Sequence, residues 1–150
     1  MGMYTEVAIG VEFKEDVPQA VVDVLSWMAD KDTAIDAAPP PLPDHPLFKT
    51  DRWKWMLRSG GSYYFDAQPC LVWRKDDIGR CWFLTVWTSI KNYSNEWRLF
   101  LEFVAPHLAY EDRKFIGHYR YEEDDDPTLL YADGNGGIEW IYPPVKDGAR

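Results

Sequence analysis

The chain has two cysteines in 150 residues, Cys70 and Cys81. That is too few for a disulfide framework or a cysteine-built zinc site. No apolar run approaches the ~20 residues a bilayer-spanning helix needs, so no membrane partner is expected. Histidine is scarce, and none of His45, His107 and His118 stands at a metal-ligand spacing from another histidine or cysteine. The opening Met-Gly-Met-Tyr-Thr-Glu has no basic stretch followed by an apolar one. No signal peptide is therefore expected, and a reduced cytoplasm is the expected setting. Bases are in deficit, 16 against 25 carboxylates, for a net charge of −9. Such a body repels nucleic acid at long range, and duplex DNA is not an expected partner. Gly60-Gly61-Ser62 and Gly134–Gly137 lack the spacing of a phosphate loop.

What is present is a core. Hydrophobic residues make up 46% of the chain and aromatics 16%, with eight tryptophans. The length suits one domain, residues 1–142, with a loose tail over 143–150. Residues 4–14 alternate, with Val7, Ile9, Val11 and Phe13 on one face, which predicts a half-buried strand. Asp16 and Gln19 have the spacing of a helix start, and Val17, Ala20, Val21, Val24, Leu25 and Met28 follow at helical period. A helix is expected over about 17–30.

The proline-rich stretch 33–46 excludes regular structure. Leu42, Leu47, Phe48, Trp53 and Trp55 nevertheless carry too much apolar surface for a free linker. The segment 39–55 is expected to pack on the sheet through a short helical turn at Pro46, capped by Asp44. Alternation over 52–58 predicts a strand, and Tyr63-Tyr64-Phe65 a short return. Residues 70–74 and 80–90 read as a hairpin around Asp76, Asp77 and Gly79, with Cys70 and Cys81 facing each other as small buried hydrophobes. Trp97, Phe100, Leu101 and Val104 mark a helix over 95–105, capped by Asn92 or Ser94. Strands follow at 114–122, 128–132 and 138–142, the last after the turn Asp133–Gly137. The order implies an α+β fold: an antiparallel sheet with two helices on one face, a split β-α-β (ferredoxin-like) arrangement with an extra hairpin.

Charge divides the chain into thirds. Residues 51–100 carry eight bases against five carboxylates, between two strongly acidic segments. Arg52, Lys54, Arg58, Arg74 and Arg80 interleave there with Trp53 and Trp55. Guanidinium groups grip phosphate and aromatic faces stack bases, so these seven residues are the candidate ligand- or partner-binding set. Alternation that sends tryptophan inward and arginine outward would instead make them an ordinary core and solvated surface. The carboxylates at 122–126 lack the spaced ligands of a calcium loop and read as a solvated turn. Neither cysteine carries a nucleophile signature. No catalytic residue, metal or cofactor is expected.

Several strings occur together: L-P-D-H-P at 42–46, F-K-T-D-R-W at 48–53, S-Y-Y-F at 62–65, K-N-Y and N-E within 91–96, and Y-R-Y-E-E and P-T-L-L within 119–130. As a set they resemble a family of small uncharacterised proteins of bacteriophages and other mobile elements. The resemblance implies an accessory role in the host cytoplasm, with no activity or catalytic residue to carry over. A non-enzymatic protein that binds a host macromolecule, such as an anti-defence inhibitor acting on a host protein, is the leading expectation. A sponge for a nucleotide-type small ligand, built on the basic middle and across a homo-oligomer interface, is the alternative. A metal-dependent nuclease or phosphodiesterase using the 122–126 carboxylates and His118 ranks last.

Overall fold

The computed structural model describes residues 4–58 and 69–144. Six strands form one antiparallel sheet: β1 (Tyr4–Glu12), β2 (Cys70–Lys75), β3 (Trp82–Lys91), β4 (Lys114–Tyr121), β5 (Thr128–Ala132) and β6 (Ile138–Ile141). Their spatial order is β2-β3-β1-β4-β5-β6. β1 is central, pairing with β3 on one side and β4 on the other. Its alternation decides which residues face which way. Val7, Ile9, Val11 and Phe13 are buried against the helices α1 (Gln19–Ala29) and α2 (Glu96–Val104). Both helices contribute apolar stripes to that single core: Val21, Val24, Leu25 and Met28 from α1, and Trp97, Phe100, Leu101 and Val104 from α2. Each such side chain contributes roughly 1.5–3 kcal/mol through burial. The protein is thus an α+β fold whose helices both cover one face of the sheet.

Several expectations need correction. Residues 52–58 are not a strand but a 3-10 turn, Trp53–Trp55, running into further turns. The buried residues there are Trp53, Met56 and Leu57, three and four apart, and this helical spacing wins over the period-two pattern. Tyr63–Phe65 and the end of the tail lie outside the described residues. α1 begins at Gln19 with Pro18 at the cap position and no side-chain cap, so Asp16 does not start it. Gln19 bonds instead to Asp23, one turn on. The turn Pro46–Lys49 buries Leu47 and seats Phe48 on Phe103 and Trp53. Its cap is His45, whose Nδ1 accepts from Leu47 N at 3.1 Å, and not Asp44. Cys70 and Cys81 do not face one another. The β2–β3 register pairs Cys70 with Trp87 and Lys75 with Trp82, which puts the two cysteines at opposite ends of the hairpin. Cys70 is exposed and Cys81 half-buried.

Loop chemistry sets the remaining boundaries. Asn92 Oδ1 accepts from Trp97 N and so caps α2 from outside it. Asp133 Oδ1 accepts from Asn135 N and Gly137 N, closing the β5–β6 turn. Glu96, fully buried, accepts from Arg52 N and Ser94 N, tying the 52–55 turn to the start of α2.

Candidate partner-binding face

α1 and α2 share one side, and among the described residues no helix covers the other side of the sheet. The outward phase of the strands places Val72 and Arg74 of β2, Phe83, Thr85 and Trp87 of β3, and Glu6, Ala8 and Gly10 of β1 on it, followed by His118 and Arg120 of β4. Val72, Trp87, Phe115 and Ile141 are 44%, 40%, 51% and 37% exposed. Phe115 packs edge-on against Tyr131 of β5. Cations lie over rings: Arg74 over Phe83, Lys91 over Tyr4, and Arg113 over Tyr131 at 3.7 Å. Arg113 also pairs with Glu139. A monomeric surface seldom gathers large apolar side chains this way without a use for them.

The centre of the face is polar. Glu6 is only 4% exposed, and Ser89 opposite it on β3 is 2% exposed, with no described helix above them. Three side chains approach the Glu6 carboxylate. Trp87 Nε1 donates to Oε2 at 3.0 Å, His118 Nε2 stands 3.0 Å from Oε1, and Arg120 Nε is 3.6 Å from the same oxygen. A carboxylate accepts and does not donate, so Nε2 carries the hydrogen. The register explains the meeting: Ala8 faces Trp87 on β3 and His118 on β4. Between those two side chains the β1 row holds Ala8, and Gly10 follows it opposite Thr85. A Cβ built on Gly10 would meet nothing nearer than Thr85 Oγ1 at 3.9 Å. The Trp87 and His118 rings meet edge-on across Ala8, their centroids 6.2 Å apart.

The seven residues singled out by sequence fall in three places. Arg52, Trp53, Lys54, Trp55 and Arg58 gather at the end of α1. There Trp53 is buried against Trp27, and Lys54 and Arg58 lie over the Trp27 ring. Arg58 Nη1 is spent on the carbonyls of Asp30 and Thr33, and burial holds its pKa below the ordinary arginine value. Arg52 lies over Tyr93, and Trp55 is exposed. Arg74 alone reaches the uncovered face. Arg80 sits in the β2–β3 turn with φ +57°. Trp73 and Trp82 stack at 4.5 Å on the helical side, where Trp73 donates to Ser26 of α1. The set does not converge on one pocket. Glu6, Trp87, His118 and Arg120 were not grouped by sequence, since Glu6 and His118 are 112 residues apart. Their signal was faint: Glu, Trp, His and Arg in the outward phase of strands, where Thr and Lys are commoner.

In the acidic turn, Glu122 Oε1 accepts from Tyr4 N and anchors the start of β1. Among the described residues no group of three His, Cys, Asp or Glu side chains could hold a metal ion, and no helix is long and apolar enough to cross a membrane. No protein-family model, curated protein or solved structure matches the chain.

Proposed function

We propose that the protein works by binding a host macromolecule across the uncovered face of its sheet, as a small accessory protein of a phage or other mobile element. The observation that carries this reading is the concentration of Val72, Trp87, Phe115 and Ile141 on one face around a fixed polar centre. Binding energy concentrates in aromatic and arginine side chains near the middle of an interface, where neighbours hold them in place. Trp87 and Arg120 occupy that position. The sheet order supports reading the fold as split β-α-β, ferredoxin-like, with β5–β6 as the added hairpin: α1 connects β1 to β2 across β3, and α2 connects β3 to β4 across β1. Both helices fall on one side, and no described helix covers the other.

The experiment is capture from host lysate, with recovered protein and RNA both analysed. Trp87→Ala and Phe115→Ala are compared with Ile78→Ser, a control at a hairpin tip that is 95% exposed. Loss of a central anchor costs about 2 kcal/mol or more, roughly a 30-fold drop in affinity. A partner held by wild type and Ile78→Ser and lost from both face variants is the expected result. Equal recovery on all four proteins, or none at low and moderate salt, refutes the reading.

A further inference from the structure

The two edges of the sheet are protected unequally. β6 runs into Pro143 and Pro144, and Arg98 of α2 reaches across it, lying over the Trp140 ring and bonding to the Tyr142 hydroxyl. Proline and charge are common means of keeping a sheet edge from pairing with another chain. β2, the opposite edge, has no proline and no bulge in its register with β3. Its charged residues, Arg74 and Lys75, stand together at one end, and Arg74 is drawn over Phe83 of the neighbouring strand. Residues 70–73 present an uncharged edge.

The register decides which backbone groups lie on that edge. Asp76 N donates to Cys81 O, and Phe13 N donates to Trp82 O, so Trp82 turns its backbone groups towards β1 and away from Lys75. Bonding alternates along an antiparallel pair, so Cys70, Val72 and Arg74 are the residues of β2 that bond β3. The N–H and C=O groups of Leu71, Trp73 and Lys75 point off the sheet, and among the described residues no backbone hydrogen bond reaches them. Beside them runs α1. Trp73 Nε1 donates to Ser26 Oγ at 2.9 Å, which fixes the spacing of helix and edge. Between the two lies a groove of about 370 Å³, lined by Ser26 and Ala29 of α1, Asp30 and Lys31 just beyond its end, and residues 71–73 of β2.

We infer that this groove takes an extended peptide segment of a partner protein, which joins the sheet as an added strand alongside β2. The site lies at the edge and does not depend on the reading of the uncovered face proposed above. Donors and acceptors that recur at every second residue are matched by another extended backbone. Side chains of the added strand alternate. One set points between helix and strand, onto Ala29, Leu71 and Trp73, and is apolar. The other lies beside Val72, which is 44% exposed. Charge does not select the peptide: on the groove side Lys31 and Lys75 stand with Asp30 and with Asp23, one turn before Ser26 on the same helix face. Asp30 already accepts from Asp32 N and Thr33 Oγ1. A second copy of the chain fits less well, because two-fold pairing of β2 with its equivalent would bring the Asp23 and Asp30 rims of two α1 helices together.

The test selects from a displayed library of random octapeptides on the folded full chain and measures synthetic copies of the winners by calorimetry. Expected are peptides with apolar residues at alternate positions, bound about equally at low and moderate salt. Backbone N-methylation at one alternate set of peptide residues should weaken binding by about 10-fold or more per site, and at the other set should change it little, since one set faces β2. Amide exchange at Leu71, Trp73 and Lys75 should slow on binding. Lys75→Pro removes an N–H that bonds nothing in the sheet, so the fold should persist while affinity falls about 10-fold or more. Ala29→Trp, which fills the groove, should do the same, whereas Trp87→Ala and Phe115→Ala should bind the peptide as wild type does. Failure to select any peptide overturns the inference, as does an N-methyl scan without a two-residue period or wild-type affinity in both Lys75→Pro and Ala29→Trp. Peptide binding lost in Trp87→Ala and kept in Lys75→Pro overturns it too and places the peptide on the uncovered face, which leaves the earlier reading standing. A chain that sediments as a dimer, and as a monomer once Lys75→Pro is made, makes a second copy the occupant and likewise overturns it.

Discussion

The approach of β4 to β1 depends on Gly117, and replacing it by alanine gives a sharp test of how the candidate site is built. Gly117 has φ +151° and pairs with Ile9 of β1 and Leu130 of β5, at a register shift after Phe115. A Cβ there would overlap the carbonyl oxygen of Ala8 and stand 2.9 Å from Ile9 Cα. These are backbone atoms of the central strand, so no side chain can swing aside. Forcing a non-glycine residue into such a conformation costs about 1–3 kcal/mol. Overpacking a rigid contact costs about another 1–3 kcal/mol. Gly117→Ala should therefore destabilise by about 2–6 kcal/mol, a large part of the ~5–15 kcal/mol typical of a domain. Urea unfolding followed by tryptophan fluorescence reads it directly. With a slope of about 2 kcal/mol per molar, the midpoint should fall by about 1–3 M with the slope unchanged. Gly10→Ala is the matched control, since its Cβ would enter open space beside Thr85. It should change stability by less than about 1 kcal/mol. A Gly117→Ala protein within about 1 kcal/mol of wild type, or a Gly10→Ala protein equally damaged, would show that close strand approach at Gly117 is not what fixes the β1–β4 register.

Phe48→Ala removes a ring packed edge-on against both Trp53 and Phe103, and should cost about 2–4 kcal/mol in denaturant melts; Pro40→Ala should change stability by less than about 0.5 kcal/mol. Equal effects would mean that the 39–55 segment is not part of the core. Glu96→Ala strands the backbone donors of Arg52 and Ser94 and should cost about 2–4 kcal/mol, with early proteolysis between Thr50 and Arg58 as an independent readout. His107 has its pKa lowered from 6.5, first by burial and then by repulsion from Lys14, with Asp16 opposing. A depressed folded-state pKa gives stability that is present above pH 6.5 and lost as the pH falls through the folded value. The melting temperature should therefore drop on acidification below about pH 6.5, and His107→Gln should flatten that limb of the curve; an unchanged limb would assign the acid sensitivity to other groups.

The outline of the fold was legible because its strongest signals are local. The alternation of Val7, Ile9, Val11 and Phe13 and the helical spacing of Trp97, Phe100, Leu101 and Val104 each require one buried face, whatever lies opposite. The errors came where two periods competed. Trp53, Trp55 and Leu57 read as one face of a strand, whereas Trp53, Met56 and Leu57 are the buried set and follow a helical turn. Caps were misassigned for a related reason. Asp16 and Asp44 are good capping residues, but the chain geometry gave the first position to Pro18 and the second to His45. Pairing of Cys70 with Cys81 failed because the hairpin turn is longer than a two-residue connection. Asp76 N bonds to Cys81 O, so the strands are already paired at Cys81 and Cys70 falls opposite Trp87.

The candidate site was hidden for a deeper reason. On a strand with one face in the core, the outward residues are read as solvated, and Glu6 looks like any other polar residue of an amphipathic strand. Its burial becomes visible only with the register, because Ala8 must sit between Trp87 and His118 before their side chains can close over the carboxylate. Taking a carboxylate out of water is costly, and charge-assisted hydrogen bonds of the kind donated here offset that cost without leaving a large surplus. An apolar side chain of similar size could cover the same area. What Glu6 supplies beyond an apolar residue is direction: it draws an imidazole, an indole N–H and a guanidinium to one spot. A surface that only needed to be sticky had Phe115, Ile141 and Val72 for that purpose. The oriented centre among them is what argues for a partner recognised by the position of polar groups as well as by apolar area.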